Sequence, residues 1–179
     1  MQSLKQTLKK ELKNARKVAL LGVGSELRGD DAAGVLVAKQ LLRLRRAIKG
    51  PGRLTIFMGA TAPENLTGEI KRFNPSHLII VDSADLGKPA GTVRLITPDK
   101  AGGISFCTHQ LPLKIMVDYL QSAIGCEIMI IGIQPEKIEF GVSVSKKIQA
   151  SVRRVADAVQ ASLSAVRRLG KTEKGRVEQ

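Results

Sequence analysis

The stretch Val18-Ala-Leu-Leu-Gly-Val-Gly-Ser-Glu-Leu-Arg-Gly-Asp-Asp-Ala-Ala-Gly34 limits the choice of fold more than any other part of the chain. An apolar run from Val18 to Leu21 stops at Gly22 and Gly24, and past Gly29 two adjacent carboxylates, Asp30 and Asp31, open a segment with helical spacing. That order reads as strand, loop, helix. In an open parallel sheet, ligands bind at loops leaving the carboxyl ends of strands, so Asp31 is expected in the working crevice. The same carboxylates also suit a helix N-terminus, where free N–H groups and the helix dipole favour negative charge. Simple capping is therefore the competing reading.

The rest of the chain repeats this alternation. Residues 1–16 set Leu4, Leu8 and Leu12 four apart among lysines, which predicts a basic amphipathic helix of roughly four turns. A strand over about 17–23 leads into a helix over about 31–48. That helix should turn Val35, Leu36, Ala38, Leu41, Leu42 and Leu44 to the sheet and Lys39, Arg43, Arg45 and Arg46 outward, and Gly50-Pro51-Gly52 should end it. A second strand over about 53–58 breaks at Gly59-Ala-Thr-Ala-Pro-Glu-Asn65, a loop expected beside the first. There Pro63 and Glu64 fit the first turn of a short helix reaching Phe73, with Thr61 as its expected cap.

His77-Leu-Ile-Ile-Val-Asp82 is the most apolar short strand, and its lack of alternation implies burial on both faces. His77 begins that strand, away from the loops, and is read as structural. An edge strand over 92–96 follows the Gly87–Gly91 turn. Next come a loop carrying His109, a helix over about 112–122, and a strand over about 127–133 that ends at Gln134-Pro135. A closing helix over about 144–169 should keep Arg153, Arg154, Arg167 and Arg168 outside. The expected fold is α/β, a three-layer α/β/α sandwich with a mostly parallel twisted sheet of about five strands. Residues 1–16 would be an N-terminal helix, 17–169 a single α/β domain, and 170–179 a polar, disordered tail.

Composition narrows the function classes. The 179 residues, 43% of them hydrophobic, suffice for one domain with a sizeable core and are short for two. A formal charge of +13 would suit nucleic acid, but only 3% of residues are aromatic, so stacking platforms are poorly supplied. The excess lies in Lys5–Lys17, Lys39–Arg53 and Arg153–Arg176, which read as solvated helix faces and tails, so nucleic acid is not the expected partner. Cys107 and Cys126 have no metal-ligand spacing, and neither a secretory signal nor a long apolar span is visible. A reduced cytoplasmic setting without a membrane span is expected. A monomer is the expected state.

If the loops converge, Asp31, Glu64 and His109 come together. One imidazole with carboxylates suits a first-row divalent metal with open positions, which could polarise a carbonyl or activate a water. A lone loop His can equally be a hydrogen-bonded surface residue. There is no His-Glu-x-x-His helix, no Gly-x-Ser-x-Gly elbow and no Gly-x-Gly-x-x-Gly or P-loop pattern.

Five motifs in order give a more specific signal. Gly22-Val-Gly-Ser-Glu-Leu-Arg-Gly-Asp-Asp31, Gly59-Ala-Thr-Ala-Pro-Glu-Asn65, Val81-Asp82 with Asp85-Leu-Gly87, Thr108-His-Gln-Leu-Pro112 and Gly132-Ile-Gln-Pro135 together resemble the nickel–iron hydrogenase maturation endopeptidases. Within them the chain looks most like the branch processing the large subunit of formate-hydrogenlyase-type hydrogenases. The resemblance spans roughly Val18 to Leu163. It implies an aspartic-type endopeptidase that activates a hydrogenase by removing a C-terminal extension from the large-subunit precursor after nickel insertion. It also implies nickel supplied by the substrate, with no permanent metal, and a nickel-loaded precursor as partner.

By position, Asp31 falls on the family's metal-binding acid and His109 on its metal-binding histidine, the pair expected to be catalytic. A third ligand in the family is an aspartate before the Gly-Gly-Thr or Gly-Gly-Ser turn, where this chain has Met58. A thioether cannot replace an anionic carboxylate toward a borderline metal. Glu64 reaches in, Met58 is a weak soft ligand, or the site runs on two protein ligands. Met58 as plain core is the simplest reading of its side chain. Two alternatives stand beside the protease: a non-catalytic chaperone that binds the precursor, and a peptidyl-tRNA hydrolase-like esterase. The latter lacks support in the first loop, where Ser25 stands in place of Asn.

Overall fold

Continuous apolar runs form the middle of the sheet. The structure, a computed structural model, describes residues 3–44, 54–97, 105–106 and 110–174, and the side chains of these apart from 105–106, 110–112 and 165–174. β1 (Val18–Val23), β2 (Leu54–Ala60), β3 (His77–Asp85), β4 (Val93–Ile96) and β6 (Glu127–Ile133) lie in the order β2-β1-β3-β6-β4, while β5 (Ser105–Phe106) pairs with the end of β3. β2, β1, β3 and β6 are mutually parallel, whereas β4 on β6 and β5 on β3 are antiparallel. The strand expected at the edge is β4. All of β1 and residues 77–84 of β3 are buried, as required of strands flanked by neighbours and covered on both faces.

The helical layers follow from side-chain alternation. Val18 and Leu20 of β1, Ile79 and Val81 of β3 and Met129 and Ile131 of β6 pack with α1 (Leu4–Glu11), α2 (Ala33–Leu44) and α5 (Lys146–Lys174). On the other face, Ala19, Leu21, Leu78, Ile80, Ile128 and Ile130 meet α3 (Thr67–Phe73) and α4 (Gln110–Ile124). Each fully buried Leu or Ile contributes about 1.5–3 kcal/mol relative to exposure. α2 lies unusually near the sheet. A Cβ on Gly34 would stand 2.0 Å from the Val81 carbonyl oxygen and 2.4 Å from that of Val23, so only glycine permits this contact.

Several sequence expectations are corrected. α1 has 8 residues, about two turns, because the chain tightens after Leu12 and the N–H groups of Arg16 and Lys17 are taken by the Ser76 hydroxyl ahead of β3. In α2 the buried stripe includes Val37 and leaves Leu42 40% exposed, since Gly34, Ala38 and Leu41 set the face against the sheet. Thr61 does not cap the short helix: a 3-10 turn over Pro63–Leu66 starts after Ala62 and has no side-chain cap, its first turn being set by Pro63. α5 continues to Lys174, five residues into the expected tail. Gly50–Gly52, Arg45, Arg46, Cys107, His109 and residues 175–179 lie outside the described residues.

The parallel strands reverse their winding at one point. From β1 the chain passes outward to β2, then crosses to β3 on the other side of β1, so the direction of winding reverses between β1 and β3. In open α/β sheets such a reversal, at the carboxyl ends of the strands, is the usual ligand position.

Candidate active site

β3 runs further than β1. Their register ends at Gly22 opposite Val81, so Asp82 and Ser83 of β3 stand beside the start of the β1 loop. That loop crosses toward α2 through a 3-10 turn over Gly29–Ala32, which buries both acids at the carboxyl end of the sheet. Gly24 has φ +129°, and a Cβ there would lie 1.9 Å from the Asp31 carbonyl oxygen, so the loop can fold tightly back on the turn. The Gly24 N–H also donates to the Ala60 carbonyl oxygen at 2.9 Å, which joins the β1 loop to the end of β2 as expected.

Asp30 and Asp31 are both buried but differently held. The Asp30 carboxylate accepts from the N–H groups of Glu136 (2.8 Å), Lys137 (3.0 Å) and Ser145 (2.7 Å), while its own N–H donates to the Lys137 carbonyl oxygen at 3.0 Å. It fastens the segment after β6 to the loop after β1. Asp31 is fully buried; Oδ2 accepts from the Ser25 N–H and Oδ1 from the Ser83 hydroxyl, both at 3.0 Å. None of these donors belongs to the turn or helix that the acids open, so helix capping does not describe the two side chains.

A buried carboxylate needs such donors to offset lost hydration. An ionised carboxylate has about four acceptor positions, of which these bonds use two. Its oxygen atoms are hard donors, the type that suits a divalent cation. Asp82 is also buried, and its Oδ1 accepts from the Ser83 N–H at 2.7 Å. The Asp82 contact orients the backbone of the residue whose hydroxyl holds Asp31.

Ser25 and Ser83 were missed from the sequence. Their only signal was position, one after Gly24 and the other after the acid that closes the apolar run of β3. Glu64 is exposed in its 3-10 turn. Met58 is half-buried and packs against the core on the α2 and α5 side of the sheet, in keeping with the plain-core reading. Among the described residues, no three His, Cys, Asp or Glu side chains group to hold a metal ion. His77 lies at the opposite end of β3, with Nδ1 3.0 Å from the Ser76 hydroxyl. Burial pushes its pKa down, against the opposing charge of Glu127.

A buried, oriented carboxylate beside a winding reversal marks the carboxyl end of this α/β sheet as the candidate active centre. The family comparison makes the class specific. Residues 37–162 match the family model described as hydrogenase maturation protease, HycI. A Methanocaldococcus jannaschii protein provisionally named a hydrogenase maturation protease is 38% identical over 151 residues, covering 83% of this chain and 89% of the relative. The Escherichia coli hydrogenase 3 maturation protease is 36% identical over 137 residues, 76% of this chain and 84% of the relative. The crystal structure of the [NiFe] hydrogenase maturation protease HycI from Thermococcus kodakarensis superposes with a TM-score of 0.80 at 31% identity, covering 88% and 99% of the two chains. The chain belongs to the hydrogenase maturation protease family. It is accordingly a peptidase, a hydrolase of peptide bonds. Among the described residues, no helix is long and apolar enough to cross a membrane.

Proposed function

We propose that this protease removes the C-terminal extension of a nickel–iron hydrogenase large-subunit precursor after nickel insertion, and that it recognises the nickel carried by that substrate. The observation carrying this reading is the buried Asp31 carboxylate, oriented by Ser25 and Ser83 at the sheet's winding reversal. Asp31 and His109 contact the substrate nickel, with Glu64 the available third ligand. The metal belongs to the precursor; the enzyme holds none of its own.

The reaction is hydrolysis. Water oxygen adds to the scissile carbonyl carbon, the C–N bond breaks, and a proton passes to the leaving amine. Asp31 is the aspartic-type participant, anchoring the metal-bearing end of the substrate and able to accept the water proton. Nickel on the substrate would polarise the carbonyl or an attacking water. Cleavage thereby depends on metal insertion. The proposed partner is the nickel-loaded precursor, the proposed compartment the cytoplasm and the proposed state a monomer.

Intact-mass spectrometry of precursor incubated with the protease, with and without nickel loading, tests this reading. Expected is loss of a C-terminal segment from the loaded precursor alone, abolished by Asp31→Asn or His109→Ala. Equal cleavage of unloaded precursor would overturn nickel recognition. Full activity of either variant would remove that residue from the mechanism.

A further inference from the structure

Asp30 has a task beyond balancing its own charge. Through the N–H groups of Glu136, Lys137 and Ser145 it joins the β1 loop to the segment following β6. Two further contacts reinforce the junction. The Gly141 N–H donates to the Leu27 carbonyl oxygen at 2.8 Å, and a Cβ on Gly29 would come 2.6 Å from the Val142 side chain. The two loops thus form one stiff unit at the carboxyl end of the sheet, beside Asp31.

That unit exposes apolar surface. Leu27 is 64% and Phe140 78% exposed, the two most exposed large hydrophobic side chains among the described residues. They belong to the two joined loops, and the Leu27–Gly141 bond brings Leu27 alongside the residue next to Phe140. Exposed Arg28 and Glu139 are their neighbours in sequence, and Glu139 pairs with exposed Lys137 at 2.9 Å. Exposed apolar side chains with charged neighbours, on loops held in advance by part-buried hydrogen bonds, are features of a recognition surface.

We propose that Leu27 and Phe140, held by the Asp30-fastened loops, form a docking subsite for an apolar side chain of the polypeptide substrate, flanking the bond that is cut. The occupant follows from the family's proteolytic activity and from Leu27 lying in the same loop as Asp31. A second copy of this chain fits less well, since two chains of formal charge +13 repel each other. The inference rests on Asp31 marking the reacting end of the molecule, and on a hydrogenase large-subunit precursor as the substrate.

The experiment compares wild type with Leu27→Ser/Phe140→Ser, measuring equilibrium binding of nickel-loaded large-subunit precursor and, separately, its cleavage. Both sites are exposed, so the thermal midpoint should not change. Kd and KM are expected to rise about tenfold, with kcat unchanged. Wild type that binds the precursor without cutting it would overturn the catalytic reading while a loss of binding in the variant still supports the subsite. Unchanged Kd and KM in the variant, or failure of wild type to bind the precursor, would overturn the subsite. So would a wild-type dimer that the double substitution splits into monomers, since the patch would then serve self-association.

Discussion

Asp30→Asn and Asp31→Asn should separate stability from activity, although the residues are adjacent and both buried. Asp30 accepts from three backbone N–H groups, and a backbone amide cannot reverse its role. In its best orientation the carboxamide introduced at position 30 keeps Glu136 and Lys137 on its oxygen, while its NH₂ group faces the Ser145 N–H, donor against donor. An unsatisfied buried donor costs about 1–3 kcal/mol, and loss of charge weakens each kept bond by about 1 kcal/mol. The sum is about 3–5 kcal/mol, worth roughly 6–20 °C in thermal midpoint for a chain of this size. Asp31 differs because one of its partners is a hydroxyl. A carboxamide at position 31 still accepts from the Ser25 N–H through its oxygen, and its NH₂ can donate to the Ser83 hydroxyl, which rotates to accept. Its cost should stay near 1 kcal/mol, on the order of one ordinary hydrogen bond. Calorimetric melts at neutral pH, run beside precursor cleavage, give both readouts. Asp30→Asn melting within about 2 °C of wild type, or Asp31→Asn falling as far as Asp30→Asn, would refute the reasoning.

Two further outcomes follow from the packing. Gly34→Ala places a methyl against the carbonyls of Val81 and Val23 and should cost about 3 kcal/mol or more in urea unfolding, whereas Gly68→Ala, where an added Cβ meets nothing within 4 Å, should change stability by under about 1 kcal/mol. Burial lowers the His77 pKa in the fold, so below about pH 6.5 the unfolded chain binds the proton more readily; stability should be full above that value and fall as pH drops toward the folded pKa. Urea midpoints on either side of that value, at about pH 7.5 and 5.5, should differ less in His77→Gln than in wild type, and an equal difference would assign the dependence to other groups.

The layers of the fold were legible because their signals are local. Leu78 to Val81 and Ile128 to Ile131 are unbroken apolar runs, and only a strand covered on both faces uses such a run. Errors arose where a neighbour intervened: α1 stops early, the chain tightening after Leu12 before Ser76 takes the N–H groups of Arg16 and Lys17, and Leu42 is displaced from the buried face by the close docking of Gly34. Met58 was read as core from its strand position, and it packs there.

The acidic pair marks the boundary between the two kinds of information. Sequence alone determined that Asp30 and Asp31 follow a strand, open a helix and belong at the sheet's binding end, because strand, loop and helix each leave a pattern within a few residues. What each acid is bonded to was decided by the tertiary structure. The partners of Asp30 lie 106 to 115 positions away, and Ser83 lies 52 positions from Asp31. No short-range periodicity records those distances, since a hydrogen bond depends on where two segments meet in space, and the meeting is fixed by the strand order that sets β1 beside β3 and β3 beside β6.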